Sequence, residues 1–406
     1  MILSIAWKNI WRSKVRSLVV IVATILGLLG GTFAAAFMFG MTDQRLNAAI
    51  SKETSHIQVH DPRFPENDEI QFVIPGAYSL LQEIRNIPGV AAAASRACIP
   101  GMISSANASS GIQIMGIDPE QESRVTTIHK TVCDSCGTYF REDRKNPVLI
   151  SRKLADKLKV RLRSKIVIRF QDEEGNLVDA AFRVCGLYRT SNGMFDEREV
   201  FVRKDDLTSI FGKEAPVHEI AVLLSDPDSL YEVGSRIREL CPDLEVQTWM
   251  EIQPELALLV TASDQMMYIF LGIILLALAF GIVNTMLMAV LERTKEIGML
   301  MSIGMSKSRI FRMILLETVL LTLTGGIVGM AVSALLIAVF NRYGIDLSIV
   351  GEGMEALGYE AMVYPSITVA YFIILTIMIL VTGIVSSVYP ARKALSIEPA
   401  KAIKIE

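Results

Sequence analysis

The chain has 406 residues, of which 51% are hydrophobic and 20% charged, with a formal net charge of −3. That balance excludes a basic nucleic-acid binder. So much apolar sequence beside so many charges means that the two are segregated along the chain. Four stretches, residues 18–41, 266–291, 314–340 and 367–389, reach the roughly 20 apolar residues that cross a bilayer.

Residues 1–17 read as an amphipathic helix. Ile2, Ile5, Ala6 and Ile10 recur at helical spacing, Trp7 and Trp11 lie four apart, and Lys8, Arg12, Lys14 and Arg16 supply charge. This is the pattern of a helix lying in the cytosolic membrane interface. The run 18–41 exceeds the roughly 7–15 apolar residues of a cleaved signal peptide, so it reads as a retained span. Within it, Gly27 and Gly31 form a GxxxG pair. Gly325, Gly326, Gly329 and Ser333 give the third span a similar row, suited to close helix packing.

Residues 42–263 carry 26 basic and 33 acidic side chains, a net of −7. Short β-like runs alternate with helical ones. The pattern predicts an α+β part from residues 42–115 with 217–249, and an inserted, strand-rich part at 116–212. Ser151 is placed to cap a helix over 152–159. Residues 165–170 and 177–187 predict a hairpin around Glu173-Glu174-Gly175-Asn176. All five cysteines fall in this segment: Cys98, Cys133, Cys136, Cys185 and Cys241. Cys133 and Cys136 have CxxC spacing, which fits a local disulfide, half a zinc site near His129, or a redox pair. A disulfide or inert thiols is the favoured reading. His56, His60, His129 and His218 are scattered and read as structural, with no metal site implied.

Lysine and arginine gather in three places: the N-terminus, residues 292–312, and the tail 390–406 with Arg392, Lys393, Lys401 and Lys404. The short connection 341–366 has Arg342 against Asp346, Glu352, Glu355 and Glu360. The positive-inside tendency then puts both termini and residues 292–312 in the cytosol, with 42–263 and 341–366 outside. Two polar residues stand in the spans. Asn284 is expected to hydrogen-bond between helices, and Glu317 to pair with a basic residue of 292–312. No GxxxxGK[ST], HExxH or GxSxG occurs in the 406 residues. The chain is therefore expected to have no catalytic or nucleotide site of these kinds and to bind no cofactor, its energy coming from another protein.

Residues 292–312 run Glu292-Arg293-Thr294-Lys295-Glu296-Ile297-Gly298, then Ile303-Gly304-Met305-Ser306 and Ile310. The chain closes with Tyr389-Pro390-Ala391-Arg392-Lys393-Ala394 and Glu398-Pro399-Ala400-Lys401-Ala402, and opens with Ala6-Trp7-Lys8-Asn9-Ile10. Together these resemble the FtsX-like, MacB-type permeases of ABC transporters, a family that includes macrolide-exporter and lipoprotein-release members. The resemblance covers nearly the whole chain. It implies an α-helical inner-membrane protein with four transmembrane helices and a large α+β periplasmic domain, having a porter-like part and an inserted strand-rich part. An FtsX-like permease region would run from about 266 to 400.

The resemblance also implies two permease copies, identical or paralogous, clasped by two cytosolic ATPase subunits that hold ATP and Mg. Motion would pass through the segment 292–312. There a short helix is expected to insert Ile297, Met301 and Ile303 into a partner's cleft, framed by Arg293, Lys295, Glu296 and Lys307, with Glu292 and Gly304 in the same motif. At Arg163-Ser164 the chain departs from a position where relatives often have glycine. With no ATPase domain ahead of the first span, the design resembles the lipoprotein-release (LolC/LolE-type) permeases, which implies lipoprotein release or export. Efflux of an antibiotic or peptide with a periplasmic adaptor, or activation of a periplasmic cell-wall hydrolase, would use the same coupling residues.

Overall fold

The structure is a computed structural model that describes residues 14–140 and 145–396. The expected interface helix falls mostly, and the end of the tail wholly, outside the described residues. The chain divides into two compact units. One comprises Thr261–Asp346 with the segments before Asp43 and after Ala361; the other comprises Asp43–Val260 with Leu347–Ala361.

The first unit is built on four helices, Lys14–Ala49, Pro254–Glu292, Lys307–Tyr343 and Val369–Leu395. Each is long and apolar enough to cross a membrane. Two of them extend well past the apolar stretches, because a helix satisfies its own backbone and needs no apolar surroundings to continue. Pro254 opens the second, where its missing N–H costs nothing. Val20 and Leu28, Leu275 and Ile282, Leu321 and Leu375 are among the side chains of its core.

Glycine sets how closely these helices approach. A Cβ on Gly325 would come 2.8 Å from the Cβ of Thr24, and one on Gly329 would come 3.1 Å from the Cα of Ile25. The GxxxG of the first helix behaves differently. Gly31 faces Ile274, whereas a Cβ on Gly27 would meet nothing within 4 Å, so the pair does not pack as a unit inside this bundle. Buried Thr24, Thr318, Thr322 and Ser333 donate to carbonyls four residues back, which satisfies the hydroxyls within their own helices.

The larger unit contains strands β1 (Ile57–His60), β2 (Val90–Ser104), β3 (Ser109–Ile117), β4 (Val132–Gly137), β5 (Pro147–Ser151), β6 (Lys165–Gln171), β7 (Leu177–Tyr188), β8 (Glu199–Arg203), β9 (Glu219–Leu224) and β10 (Glu245–Thr248). Their order is β10-β1-β9-β2-β3-β8-β5-β7-β4, with β6 paired to both β2 and β7. That double pairing closes β2, β3, β8, β5, β7 and β6 into a barrel. β6 alternates exposed and buried residues along its length, as a barrel wall must. Ile99, Ile114, Ile150, Ile168, Phe182 and Val200 belong to the barrel core. The remaining sheet, β10-β1-β9-β2, turns Ile57, Val59, Ile220 and Val222 toward a second core. That core also holds Leu81 and Ile84 of the helix Ala77–Arg85, and Val233 and Ile237 of the helix Leu230–Leu240.

The sequence divides these two parts at residue 116, but the structure makes them share β2. Its first half pairs with β9, and Ala97–Ser104 pairs with β3. The alanine-rich run before Arg96 offers no hydrophobic contrast to mark where one core ends and the next begins. Local signals fare better. Ser151 Oγ accepts the Leu154 N–H at 3.0 Å, and β6 and β7 form the expected hairpin. Arg163, in the turn leading into β6, stands at φ 66°, in the left-handed region.

The connection between the third and fourth membrane helices is more than a plain acidic loop. Leu347–Ala361 belongs to the larger unit, where Glu360 lies 3.0 Å from Lys52 Nζ and Glu355 lies 2.5 Å from Arg189 Nη2.

Candidate coupling site

The second membrane helix ends at Glu292, and a nine-residue helix, Thr294–Ser302, follows the turn at Arg293. It is closed by Gly304 at φ 96°. The Met305 N–H donates to the Leu300 carbonyl at 3.0 Å, and the Gly304 N–H to the Met301 carbonyl at 3.1 Å. This is a Schellman closure, whose left-handed residue is nearly free for glycine and costly for others. Ser306 then takes extended geometry as the N-cap of the third membrane helix.

The short helix has two faces. Lys295, Met299, Ser302 and Ile303 are exposed, whereas Ile297 and Gly298 are buried and Met301 is half-buried. Ile297 is only 3% exposed and belongs to the membrane-unit core, and Met301 packs against that core. This corrects the expected set of partner-facing residues: Ile297 and Met301 hold the helix to its own unit. The exposed apolar pair is Met299 at 58% and Ile303 at 78%. The reason is helical phase. Positions 297, 298 and 301 share one face, and 295, 299 and 302 share the other. Met299 was legible only from that stripe, because the methionine-rich run has little polar contrast. Glu292, Lys295, Gly304 and Lys307 are all exposed, and Glu296 is half-buried.

Arg293 connects this helix to the bundle. Its Nε lies 3.0 Å from Glu296 Oε2, and its Nη1 lies 3.3 and 3.4 Å from the two oxygens of Glu317. Glu317 is buried, about 15 Å along the third membrane helix from Lys307 at the helical rise. A carboxylate there needs a partner to stay charged, and the guanidinium supplies one. Both side chains line a small cavity with Met286, Ala289, Ile297 and Ile314.

The other expected polar residue lies elsewhere. Asn284 is exposed, in a groove with Gly27, Gly30 and Gly31, and makes no hydrogen bond to another helix among the described residues. Its neighbours two places on either side, Ile282 and Met286, are the ones that turn into the core.

In the larger unit, Cys133 and Cys136 are joined in a disulfide within β4, with Cα atoms 5.0 Å apart, and Cys98, Cys185 and Cys241 are buried thiols. His60 and His218 both stack against Phe64, with ring centroids 5.7 and 5.1 Å from it. His218 accepts the Cys98 N–H on Nδ1 and donates from Nε2 to the Ile70 carbonyl. Among the described residues no group of His, Cys, Asp and Glu is arranged to hold a metal ion.

Four membrane-crossing helices and a large α/β unit define a multi-pass membrane protein. Residues 268–399 match the FtsX-like permease C-terminal family, and residues 21–240 match the MacB-like periplasmic core domain. The chain is 27% identical over 241 residues to an uncharacterized ABC transporter permease of Methanocaldococcus jannaschii, MJ1507, covering 56% of each. It is 30% identical over 211 residues to the macrolide export ATP-binding/permease protein MacB of Chlorobium luteolum, covering 50% of this chain and 28% of that one. To the lipoprotein-releasing system transmembrane protein LolC of Neisseria meningitidis serogroup B it is 22% identical over 350 residues, covering 81% of each. It thus spans about half the length of the first of these relatives, and less of the second. The chain belongs to the FtsX-like, MacB-type family of ABC transporter permeases.

Proposed function

We propose that this chain is the non-catalytic membrane subunit of an ATP-driven machine of the inner membrane, with cytosolic termini. A separate cytosolic ATPase, in two copies, holds ATP and Mg. It docks on Met299 and Ile303, and its closure moves a pair of permease chains through the tie between Arg293 and Glu317. The observation that carries this reading is the two-sided helix Thr294–Ser302: one face is anchored in the membrane-unit core, and the other presents an apolar pair. A mere turn has no use for that pair, and burying each side chain against a partner is worth about 1.5–3 kcal/mol. Lys295, Lys307 and Arg309 lie exposed around it, which by the positive-inside tendency supports a cytosolic position.

The work done is release or export of a lipoprotein. This is supported by the alignment with LolC, which runs along 81% of both chains. Efflux with a periplasmic adaptor is the second reading, supported by the match to MacB. Purification of the tagged full chain should recover an ABC ATPase. The paired substitution Met299→Glu and Ile303→Glu should lose it while leaving insertion and thermal stability intact. Retention of the ATPase by that variant would remove the proposed docking surface. Crosslinking during turnover should trap a lipoprotein; recovery of a periplasmic adaptor instead would favour efflux.

A further inference from the structure

The larger unit is acidic, yet one stretch of it is strongly basic. Residues 152–165 carry seven basic side chains against one acidic, Asp156, a net of +6, within a segment, 42–263, whose net is −7. The stretch runs through the helix Arg152–Leu158, a turn, and the start of β6. Strand register brings further cations to it. Lys165 pairs directly with Arg183 of β7, and Lys145 precedes Asn146, whose carbonyl accepts the Arg183 N–H at 2.9 Å. In the turn, the Ser164 N–H donates to the Arg161 carbonyl at 3.0 Å, and the Arg163 N–H to the Val184 carbonyl at 2.9 Å.

Elsewhere in this unit most cations are matched: Arg45 with Glu53, Arg96 with Glu122 and Glu219, Arg236 with Glu232. Six at this place are not. Lys145, Lys159, Arg161, Arg163, Lys165 and Arg183 are all exposed, and none makes an ion pair or a side-chain hydrogen bond among the described residues. The first carboxylate along the β6–β7 ladder, Asp179, is already held by Arg169 at 2.7 Å. Like charges directly opposite, as at Lys165 and Arg183, are destabilising. Lys159 and Arg163 add to the cost, since they hold φ of 54° and 66°, where glycine is easier. Anions laid over such a wall would relieve its self-repulsion.

The chemistry of the wall narrows the partner. The apolar side chains between the cations, Val160, Leu162, Ile166 and Val184, pack on the barrel core, so the patch offers charge without an apolar anchor. Stable protein interfaces are centred on such anchors. Arginine grips phosphate with two N–H groups and lysine meets it as a point charge, so a mixed row of both suits an array of phosphates. The chain is tethered in a bilayer by its own helices, which keeps headgroups at high effective concentration. The basic stretch also begins beside that tether. Lys153 Nζ donates to the Gly193 carbonyl at 3.3 Å, and a Cβ on Gly193 would lie 3.4 Å from the carbonyl oxygen of Glu355. Glu355 belongs to Leu347–Ala361, between the third and fourth membrane helices.

We propose that this wall of the barrel binds the surface of an anionic phospholipid bilayer, its six cations lying among the headgroup phosphates. Each cation near such a surface adds to the attraction, and salt screens it. The inference does not rest on the coupling reading: a chain that holds no ATPase still carries this wall.

The test is amide hydrogen exchange of the full-length chain in lipid nanodiscs, either of pure phosphatidylcholine or with about 30% phosphatidylglycerol. Anionic headgroups lower the hydroxide concentration beside them, so exchange over residues 159–165 should be about threefold slower with phosphatidylglycerol. About 0.5 M salt should abolish the difference. Residues 172–176, at the far end of the same hairpin, lie more than a Debye length away and should exchange alike in both lipids. Charge reversal by Arg161→Glu with Lys165→Glu should remove the slowing. The proposal is overturned by equal exchange of 159–165 in the two lipids, by slowing that survives charge reversal, or by equal slowing at 172–176. Soluble poly-glutamate that slows 159–165 in pure phosphatidylcholine as much as the anionic lipid does would overturn it in favour of an acidic polypeptide. Should the charge-reversed chain fail to fold, the lipid, salt and poly-glutamate comparisons decide alone.

Discussion

Arg293 meets Glu317 at 3.3 Å, so the turn after the second membrane helix is tied to the interior of the third. The same guanidinium holds Glu296 at 3.0 Å. One side chain therefore fixes the short helix against the bundle.

Breaking this tie should be costly and non-additive. Arg293→Ala and Glu317→Ala are each expected to destabilise the membrane unit by about 3 kcal/mol, since either leaves a poorly solvated charge behind. The double variant should lose clearly less than the sum. Thermal midpoints of the four proteins in one detergent measure this, and strictly additive losses would show that the two charges do not couple.

The two faces of the short helix should separate by mutation. Ile297→Ala removes a core side chain and is expected to cost about 2–5 kcal/mol. Ile303→Ala removes an exposed one and should change the stability of the chain alone by no more than about 0.5 kcal/mol. Equal effects in thermal unfolding would mean that the helix sits in a different phase.

Stability should fall with pH on the alkaline side of neutrality. Burial raises the Glu199 carboxyl from 4.5 to about 8; Arg198 and Arg96 oppose this, while Glu219 and Asp68 add to it. The folded chain thus keeps a proton that the unfolded chain releases. The contribution is fully present below pH 4.5, declines as pH rises by up to about 1.4 kcal/mol per pH unit, and levels above about 8. His218 acts in the opposite sense. Burial lowers it from 6.5 to about 4, so its contribution is present above 6.5 and lost as pH falls toward 4. Between pH 6.5 and 8 only the Glu199 slope remains of the two. The thermal midpoint should drop there, and Glu199→Gln should flatten the drop. A parent profile that is already flat would contradict this.

Arg163 marks a place where the chain can be improved. Its φ of 66° lies where a side chain costs roughly 1–2 kcal/mol. Arg163→Gly relieves that strain but loosens the unfolded chain, which returns part of the gain. A net stabilisation of about 0.5–1 kcal/mol is expected in differential calorimetry. A lower midpoint would mean that the arginine side chain contributes more than its backbone strain costs.

Much of the architecture is local and was legible. Spans are runs of apolar residues, and residues 292–312 are a basic interval between two of them. Ser151 caps its helix because a hydroxyl three residues ahead of an amide reaches it. Cys133 and Cys136 are three residues apart, so only the local irregularity of β4 is needed to bring them together. Each of these depends on neighbours within a few residues, so the order of residues suffices to determine it.

Tertiary structure alone decided the rest. Ile297 and Ile303 are both isoleucines on one short helix, and only the packing of the bundle says that the first is buried and the second presented. The barrel closes because β6, beyond its hairpin with β7, also finds β2, a pairing across some 60 residues of chain that no local pattern encodes. Gln113 and Glu199 are 86 positions apart, yet parallel register sets them side by side in the lining of a cavity. Local periodicity tells which face of an element is apolar. Which neighbour covers that face, and what is left uncovered, depends on contacts between residues far apart in the chain.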